Sequence, residues 1–350
     1  MALETAKQLQ KQELKVGIVC KNDSPLYENS IKSGINIFCK FKNSNKITNI
    51  RKFAGSIKTL NIKIIHSHFS NDLWTIVPAL KMSKSGSRLY LTKHLASGVV
   101  KKDILHKYLY KRVDKIFAIS DFINKNVIDT CPVPEEKVIL LPNGIDLNVF
   151  SRTRYNRSDI RKEFNITDDK IIIALIGRIT PGKGHKEFIE AIEAVNKTNS
   201  AETVYLVTGS SAKGEEHFEA EIKQLAKNKN INNIIFTDYR NDIARILAGT
   251  DILAFPSHEE SFGITLLEAM AMEVPVIASN NAGVADIIPT EECGLLIPPK
   301  NSVELAKAML KLINNPGLRK NLAIKGRKRV IENFDIERIT RDLVKHYAIS

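Results

Sequence analysis

Residues 171–196, IIIALIGRITPGKGHKEFIEAIEAVN, decide what kind of fold this chain builds. Ile171 to Ile176 is apolar and β-branched throughout, which reads as a strand buried on both faces. Gly177, Gly182 and Gly184 then punctuate a loop, and a helical pattern opens near His185. An unalternating strand that runs through a glycine loop into a helix belongs to a parallel sheet with helices on both faces.

The same alternation extends in both directions. Strands are expected at 15–20, 62–67, 89–92, 115–120, 138–142, 171–177, 203–208, 234–237, 252–255 and 276–279. Helices are expected at 2–13, 27–33, 72–83, 101–113, 121–130, 185–196, 215–228, 243–248, 264–272, 302–314 and 336–347. The fold class is therefore α/β, two doubly wound Rossmann-like domains, and all-α and all-β folds are excluded. Pro142-Asn143-Gly144 and the polar, arginine-rich stretch after it mark the boundary. This predicts a first domain of residues 1–150 with the C-terminal helix of about 335–350, and a second of 151–334. Such domains present the carboxyl ends of their strands to one cleft, where α/β sheets bind ligands.

Composition narrows the function. At 350 residues, 43% hydrophobic and 26% charged, the chain is too apolar for bulk disorder. Its longest apolar run, 171–177, is far short of the ~20 residues of a spanning helix. No basic segment followed by an apolar run opens the chain, so no secretory signal is visible. Cys20, Cys39, Cys131 and Cys293 are widely spaced, which suits a reducing cytoplasm and argues against a disulfide framework or a zinc site. The net charge of +13 is uneven: residues 1–150 hold 24 Lys and Arg against 12 Asp and Glu, residues 151–350 hold 28 against 27. The first half is thus expected to meet something anionic, with solvated surface lysines as the plainer reading. A nucleic-acid partner is not expected, because no recognisable nucleic-acid-binding signature is present.

Two motifs carry chemistry. In Gly177-Arg178-Ile179-Thr180-Pro181-Gly182-Lys183-Gly184, the arginine can fork onto phosphate oxygens and the lysine adds a point charge. The helix N-terminus behind them completes an anion site. The loop matches neither GxxxxGK[ST] nor GxGxxG. The second motif is PSHEESFGITLLEAMA, residues 256–271. Glu260 lies in its loop, while Glu268 falls among apolar residues of a helix, where an unpartnered acid costs several kcal/mol. Phe262-Gly263 brings backbone amides close to a ligand at the helix start.

Arg178 and Lys183-Gly184 followed by Glu260 and Glu268 with Phe262-Gly263 between them resemble glycosyltransferase family 4, retaining sugar-nucleotide enzymes of the GT-B architecture. The likeness extends to residues 119–120, to LLPNGID at 140–146, to the strand ending in Gly209, to DILAFPS at 251–257 and to EVPVIAS at 273–279. It covers essentially the whole chain. It implies that Arg178 and Lys183 hold the donor diphosphate, that Glu260 contacts the transferred sugar and that Glu268 binds the ribose. It further implies that the amides of Gly263, Ile264 and Thr265 meet sugar and phosphate, that Tyr239-Arg240 lies beside the base, and that Gly209 and Phe262 belong to the donor site. His94, after a short strand, resembles the family's histidine near donor sugar and acceptor. The catalytic set so implied is Glu260, His94, Arg178 and Lys183. His66 and His68 read as cleft-lining or structural rather than as a metal pair. No metal or other cofactor is implied.

The chain departs from the family in places. Helix 2–13 aligns with the family's first helix, so the first strand and glycine-rich loop that usually precede it are expected to be lacking from this chain. Ser261 stands where glycine is commoner, and Ala282-Gly283 where two glycines are usual. The resemblance implies transfer of a hexose-like sugar from a nucleotide-diphosphate sugar to an acceptor hydroxyl. The acceptor would be a saccharide or lipid-linked compound of cell-surface polysaccharide, lipopolysaccharide or glycolipid synthesis. The enzyme would be cytoplasmic, peripheral on an anionic membrane. A degenerate, non-catalytic homologue is the alternative.

Overall fold

The β-branched runs become parallel strands and the amphipathic stretches the helices over them in the computed structural model, which describes residues 1–41, 46–198 and 202–347. In chain order the elements are α1 (Ala2–Lys11), β1 (Gly17–Lys21), α2 (Pro25–Lys32), β2 (Asn36–Phe41), α3 (Lys46–Thr59), β3 (Ile64–Ser67), α4 (Leu73–Ser83), β4 (Arg88–Lys93), α5 (Ile104–Lys111), β5 (Lys115–Ala118), α6 (Asp121–Thr130) and β6 (Val138–Leu140). There follow α7 (Arg157–Glu163), β7 (Ile171–Ile176), α8 (His185–Thr198), β8 (Thr203–Thr208), α9 (Glu216–Asn228), β9 (Ile234–Phe236), α10 (Ile243–Gly249), β10 (Ile252–Phe255), α11 (Ile264–Ala271), β11 (Val276–Ser279) and α12 (Ala282–Ala285). The chain closes with β12 (Leu295–Ile297), α13 (Ser302–Ile313), α14 (Pro316–Asn333) and α15 (Ile336–His346).

Residues 1–144 with the segment from 336 form one unit, and 145–335 the other. The first division falls at Gly144, ahead of the expected 150, because this glycine lies flat on the start of α15. A Cβ there would sit 2.5 Å from the Cα of Ile336.

The second unit has one six-stranded parallel sheet in the order β12-β11-β10-β7-β8-β9. Renumbered within the unit, that is the Rossmann order, and it reverses between β7 and β10. A ligand crevice is expected at the carboxyl ends of those two strands. Strand β8 is buried at every residue. Phe188, Ile192, Tyr205, Ile222 and Leu312 belong to the core that α8, α9 and α13 form against the sheet.

The first unit differs. Strands β3-β4-β5-β6 make a four-stranded parallel sheet in simple sequence order, and β1 pairs with β2 in a separate parallel sheet. Among the described residues no ladder joins β1 to β3. Val16, just ahead of β1, packs against both the cluster of Tyr90, Phe117, Leu343 and Tyr347 and the cluster of Ala6, Ile18, Cys20 and Ile35.

Most expected strands and helices stand within a few residues of their predicted bounds. The ranges expected from the sequence had no place for β2, α3, α7, α12, β12 and α14. In α3 the buried Phe53, Ala54 and Ile57 are diluted by polar residues and Gly55. In α14 the stripe of Leu322, Ala323, Gly326 and Val330 is hidden among lysines and arginines. Its start was nonetheless signalled by Asn315-Pro316: the asparagine accepts a hydrogen bond from the Leu318 amide, and proline suits the first turn.

Candidate active site

The loop after β7 is held by backbone contacts that only glycine permits. Gly184 has φ +75°, and a Cβ there would sit 2.2 Å from the Pro256 carbonyl oxygen. Gly209, at the end of β8, has φ +140° and lies on Gly177, where a Cβ would approach the carbonyl oxygen to 2.0 Å. These approaches draw the carboxyl ends of β7, β8 and β10 together. The His258 amide donates to the Gly182 carbonyl at 2.8 Å, and the His258 ring contacts Glu187 Oε1 at 2.8 Å. Both motif loops are thereby tied into one construction.

Between them is a cavity of about 160 Å³ lined by Leu175–Arg178, Lys183, Phe255–Ser257, Glu260 and Gly263–Thr265. It lies where the strand order reverses, as the topology requires. Lys183 Nζ donates to Glu260 Oε1 in an ion pair of two partly buried side chains. Arg178 stands exposed at the rim. Gly263, at φ +105°, starts α11 without a side-chain cap, so the first amides of that helix are available at the cavity wall. Gly283 supports the loop from below, since a Cβ there would meet the Glu260 carbonyl oxygen at 2.2 Å.

Glu268 lies one turn further along α11. Burial pushes its carboxyl up to about 7, and among the described residues no cation pairs with it. Phe262 is buried against Phe334, ring centroids 5.9 Å apart, and acts as a packing anchor for the loop.

Tyr239 is 76% exposed, and neither it nor Arg240 lines the cavity. Arg240 is held in an ion network by Asp242 (2.7 Å) and Glu163. Gly209 supports the loop rather than lining the cavity.

In the first unit, His94 follows β4 and joins a row of imidazoles. His68 Nδ1 and His94 Nε2 share a hydrogen bond of 3.0 Å, and their rings stack at 5.3 Å. His66 stacks on His68 at 4.7 Å; its ring nitrogens contact Tyr347 Oη and Thr92 Oγ1, both at 2.7 Å. Burial pushes His66 down to about 3, His94 down to about 4 and His68 well below its usual value, so all three are neutral at physiological pH. Lys93 is buried too, its Nζ donating to Ser70 Oγ at 3.1 Å. The pairing of His68 with His94 was not read from the sequence, although the His-Ser-His spacing places His66 and His68 on one side of a strand end. Pro256 and Ser257, also unassigned, directly follow β10 at the reversal point.

Residues 156–329 match the family described as Glycosyl transferases group 1, and residues 1–149 match Glycosyltransferase Family 4. The capsular polysaccharide biosynthesis glycosyltransferase CapM of Staphylococcus aureus is 27% identical over 66% of this chain and 60% of its own length. The chain thus spans about three fifths of that relative. A glycosyltransferase from Rickettsia africae has the same fold, with a TM-score of 0.86 and 24% identity over 99% of this chain and 92% of that one. HepE from Anabaena, solved with UDP and glucose, aligns at a TM-score of 0.83 with 17% identity, covering 100% of this chain and 95% of that one.

Proposed function

The chain belongs to the glycosyl transferases group 1 family, and from that premise we propose that it moves a hexose-like sugar from a nucleotide-diphosphate sugar to an acceptor hydroxyl with retention of configuration. The observation that carries this reading is the cavity at the strand-order reversal, where two cations, an acid and an uncapped helix start converge. The donor diphosphate would lie between Arg178, Lys183 and the first amides of α11, which would stabilise the charge of the departing nucleotide. Lys183 is already paired with Glu260. Diphosphate binding would draw the lysine away and free the Glu260 carboxylate to accept hydrogen bonds from sugar hydroxyls. Glu268 would accept from the ribose hydroxyls. His94, neutral and held by His68, would present an imidazole nitrogen to the acceptor. The fold neighbour solved with UDP supports a uridine donor as the first to test.

Acceptors of cell-surface polysaccharide, lipopolysaccharide or glycolipid synthesis fit this reading, supported by the name of the capsular relative. No helix of the described residues is long and apolar enough to cross a membrane. We place the work of the protein at the inner face of the cell membrane.

Isothermal titration with UDP, GDP and ADP tests the donor site. Arg178→Ala and Lys183→Ala should each cost about 1.5–3 kcal/mol, roughly 10- to 150-fold in affinity. If the wild type binds one nucleotide and both variants bind it unchanged, the assignment fails. The divided sheet of the first unit favours a second reading, a homologue that binds donor without transferring sugar. Donor binding with no sugar transfer or hydrolysis would select it.

A further inference from the structure

The segment between His94 and β5 presents apolar side chains to solvent as a group. Leu95, Val99, Val100, Ile104 and Leu105 are 60–83% exposed, and Tyr108 is exposed beside them. Scattered exposed apolar residues are ordinary on a soluble surface, but a contiguous set of this kind marks an interaction face.

The local construction holds these side chains outward. The Ser97 amide donates to Asn126 Oδ1 at 2.7 Å, and Asn126 Nδ2 donates back to the Ser97 carbonyl at 3.1 Å, pinning the loop to α6. Asp103 caps α5 by accepting from the Leu105 and His106 amides. Helix α5 buries Leu109 and Tyr110. At 100° per residue, Ile104, Lys107, Tyr108 and Lys111 fall on the opposite side, while Leu105, in the first turn at the flank of that face, is 60% exposed. The outward face of α5 is thus both apolar and cationic, whereas an ordinary surface helix turns polar residues outward.

Charge indicates the occupant. From Leu95 to Arg112 the cations are Lys101, Lys102, Lys107, Lys111 and Arg112, and the only acid is Asp103. That carboxylate is occupied by the helix cap and by the His106 ring. Exposed aliphatic side chains among uncompensated lysines fit an anionic lipid surface, where the aliphatics enter the headgroup boundary and the lysines meet phosphates.

We propose that the loop 95–103 and the outward face of α5 form the surface by which this protein docks on anionic membrane. The surface follows directly from His94 at the carboxyl end of β4, so docking brings a lipid-borne acceptor to the histidine row of the same unit. The proposal deepens the reading above by naming the membrane-contacting residues.

Flotation with phosphatidylcholine vesicles, with and without phosphatidylglycerol, tests it. The wild type should float only with the anionic vesicles, and less so as salt is raised. Ile104→Ser with Leu105→Ser should abolish flotation. Lys107→Gln with Lys111→Gln should weaken binding about fivefold per lysine. Ile324→Ser with Ile331→Ser, exposed positions on the second unit, should float like the wild type. All variants should keep the wild-type melting temperature, since the replaced side chains are outside the core. No flotation at low salt, equal flotation with neutral vesicles, or wild-type flotation of the α5 variants would overturn the proposal. So would light scattering that shows a dimer dissociated by Ile104→Ser with Leu105→Ser, because the face would then join two copies. UDP titration of the same variants separates the two readings: lost flotation with intact UDP binding concerns the membrane face alone, and intact flotation without nucleotide binding concerns the donor site alone.

Discussion

The two units use the same alternation of strand and helix with different results. In the second, six parallel strands form one ladder, the order reverses once, and the cavity sits at that reversal. In the first, the ladder is interrupted between β1 and β3, and its polar cluster is a row of stacked histidines. A continuous sheet shares its burial across every strand, whereas an isolated two-stranded sheet is only marginally stable by itself. The comparison teaches that the second unit gathers its motif loops on one continuous sheet, while the first depends on helices α1 and α15 to hold its two sheets in one core.

The largest test attacks the strong unit. Asp251, just ahead of β10, accepts from Arg157 and Arg161 at 2.6 Å each and from the Ile172 amide at 2.9 Å. Arg161 is fully buried. Asp251→Ala strands that guanidinium and should cost about 3–5 kcal/mol. The chain's single tryptophan, Trp74, lies on α4 of the first unit. Its fluorescence should therefore report that unit alone, while far-UV circular dichroism reports both. In the wild type the Trp74 transition should come first on heating. Asp251→Ala should lower the second transition and leave the Trp74 one nearly in place. One shared transition that moves as a whole would break the comparison.

A smaller effect depends on pH. Burial raises Glu268 from 4.5 to about 7, so the folded chain holds this proton more tightly than the unfolded chain. Stability from this group is therefore full below about pH 4.5 and falls as pH rises to about 7, by about 2–3 kcal/mol. Glu268→Gln should remove that slope, leaving the second unit more stable than wild type at pH 8 and little changed at pH 4.5. Urea unfolding at the two values checks it; equal slopes in both proteins would mean that the carboxyl is better solvated than the fold shows.

The smallest concerns the first unit. Tyr347→Phe removes the hydroxyl that meets His66 and should lower the Trp74 transition by about 1 kcal/mol. Circular dichroism of the second transition should not move. A shift in both would show that α15 supports more than its own unit.

Much of this was legible in residues. The apolar, β-branched runs at 171–176, 203–208, 252–255 and 276–279 were readable as buried parallel strands because burial on both faces leaves no polar alternation. Strand β2, with Asn36 and Lys40 among its apolar residues, has no such run and was invisible. Motif spacing placed Arg178, Lys183, Glu260 and Gly263–Thr265, and the cavity gathers them. The sequence did not show that the Arg240 side chain is tied to Glu163 and Asp242.

What this sequence determined by itself was local: which segments are strands, where glycines let the backbone turn, and which charged residues follow a strand end. Those properties depend on neighbours a few positions away, and periodicity records them. The tertiary structure alone decided that Lys183 pairs with Glu260, that the His258 amide ties the two loops through the Gly182 carbonyl while its ring meets Glu187 on α8, and that His66, His68 and His94 stack in one row. Apart from His66 and His68, the residues so joined lie 26 to 77 positions apart along the chain. Sheet order and core packing bring them together, and no local pattern encodes that approach.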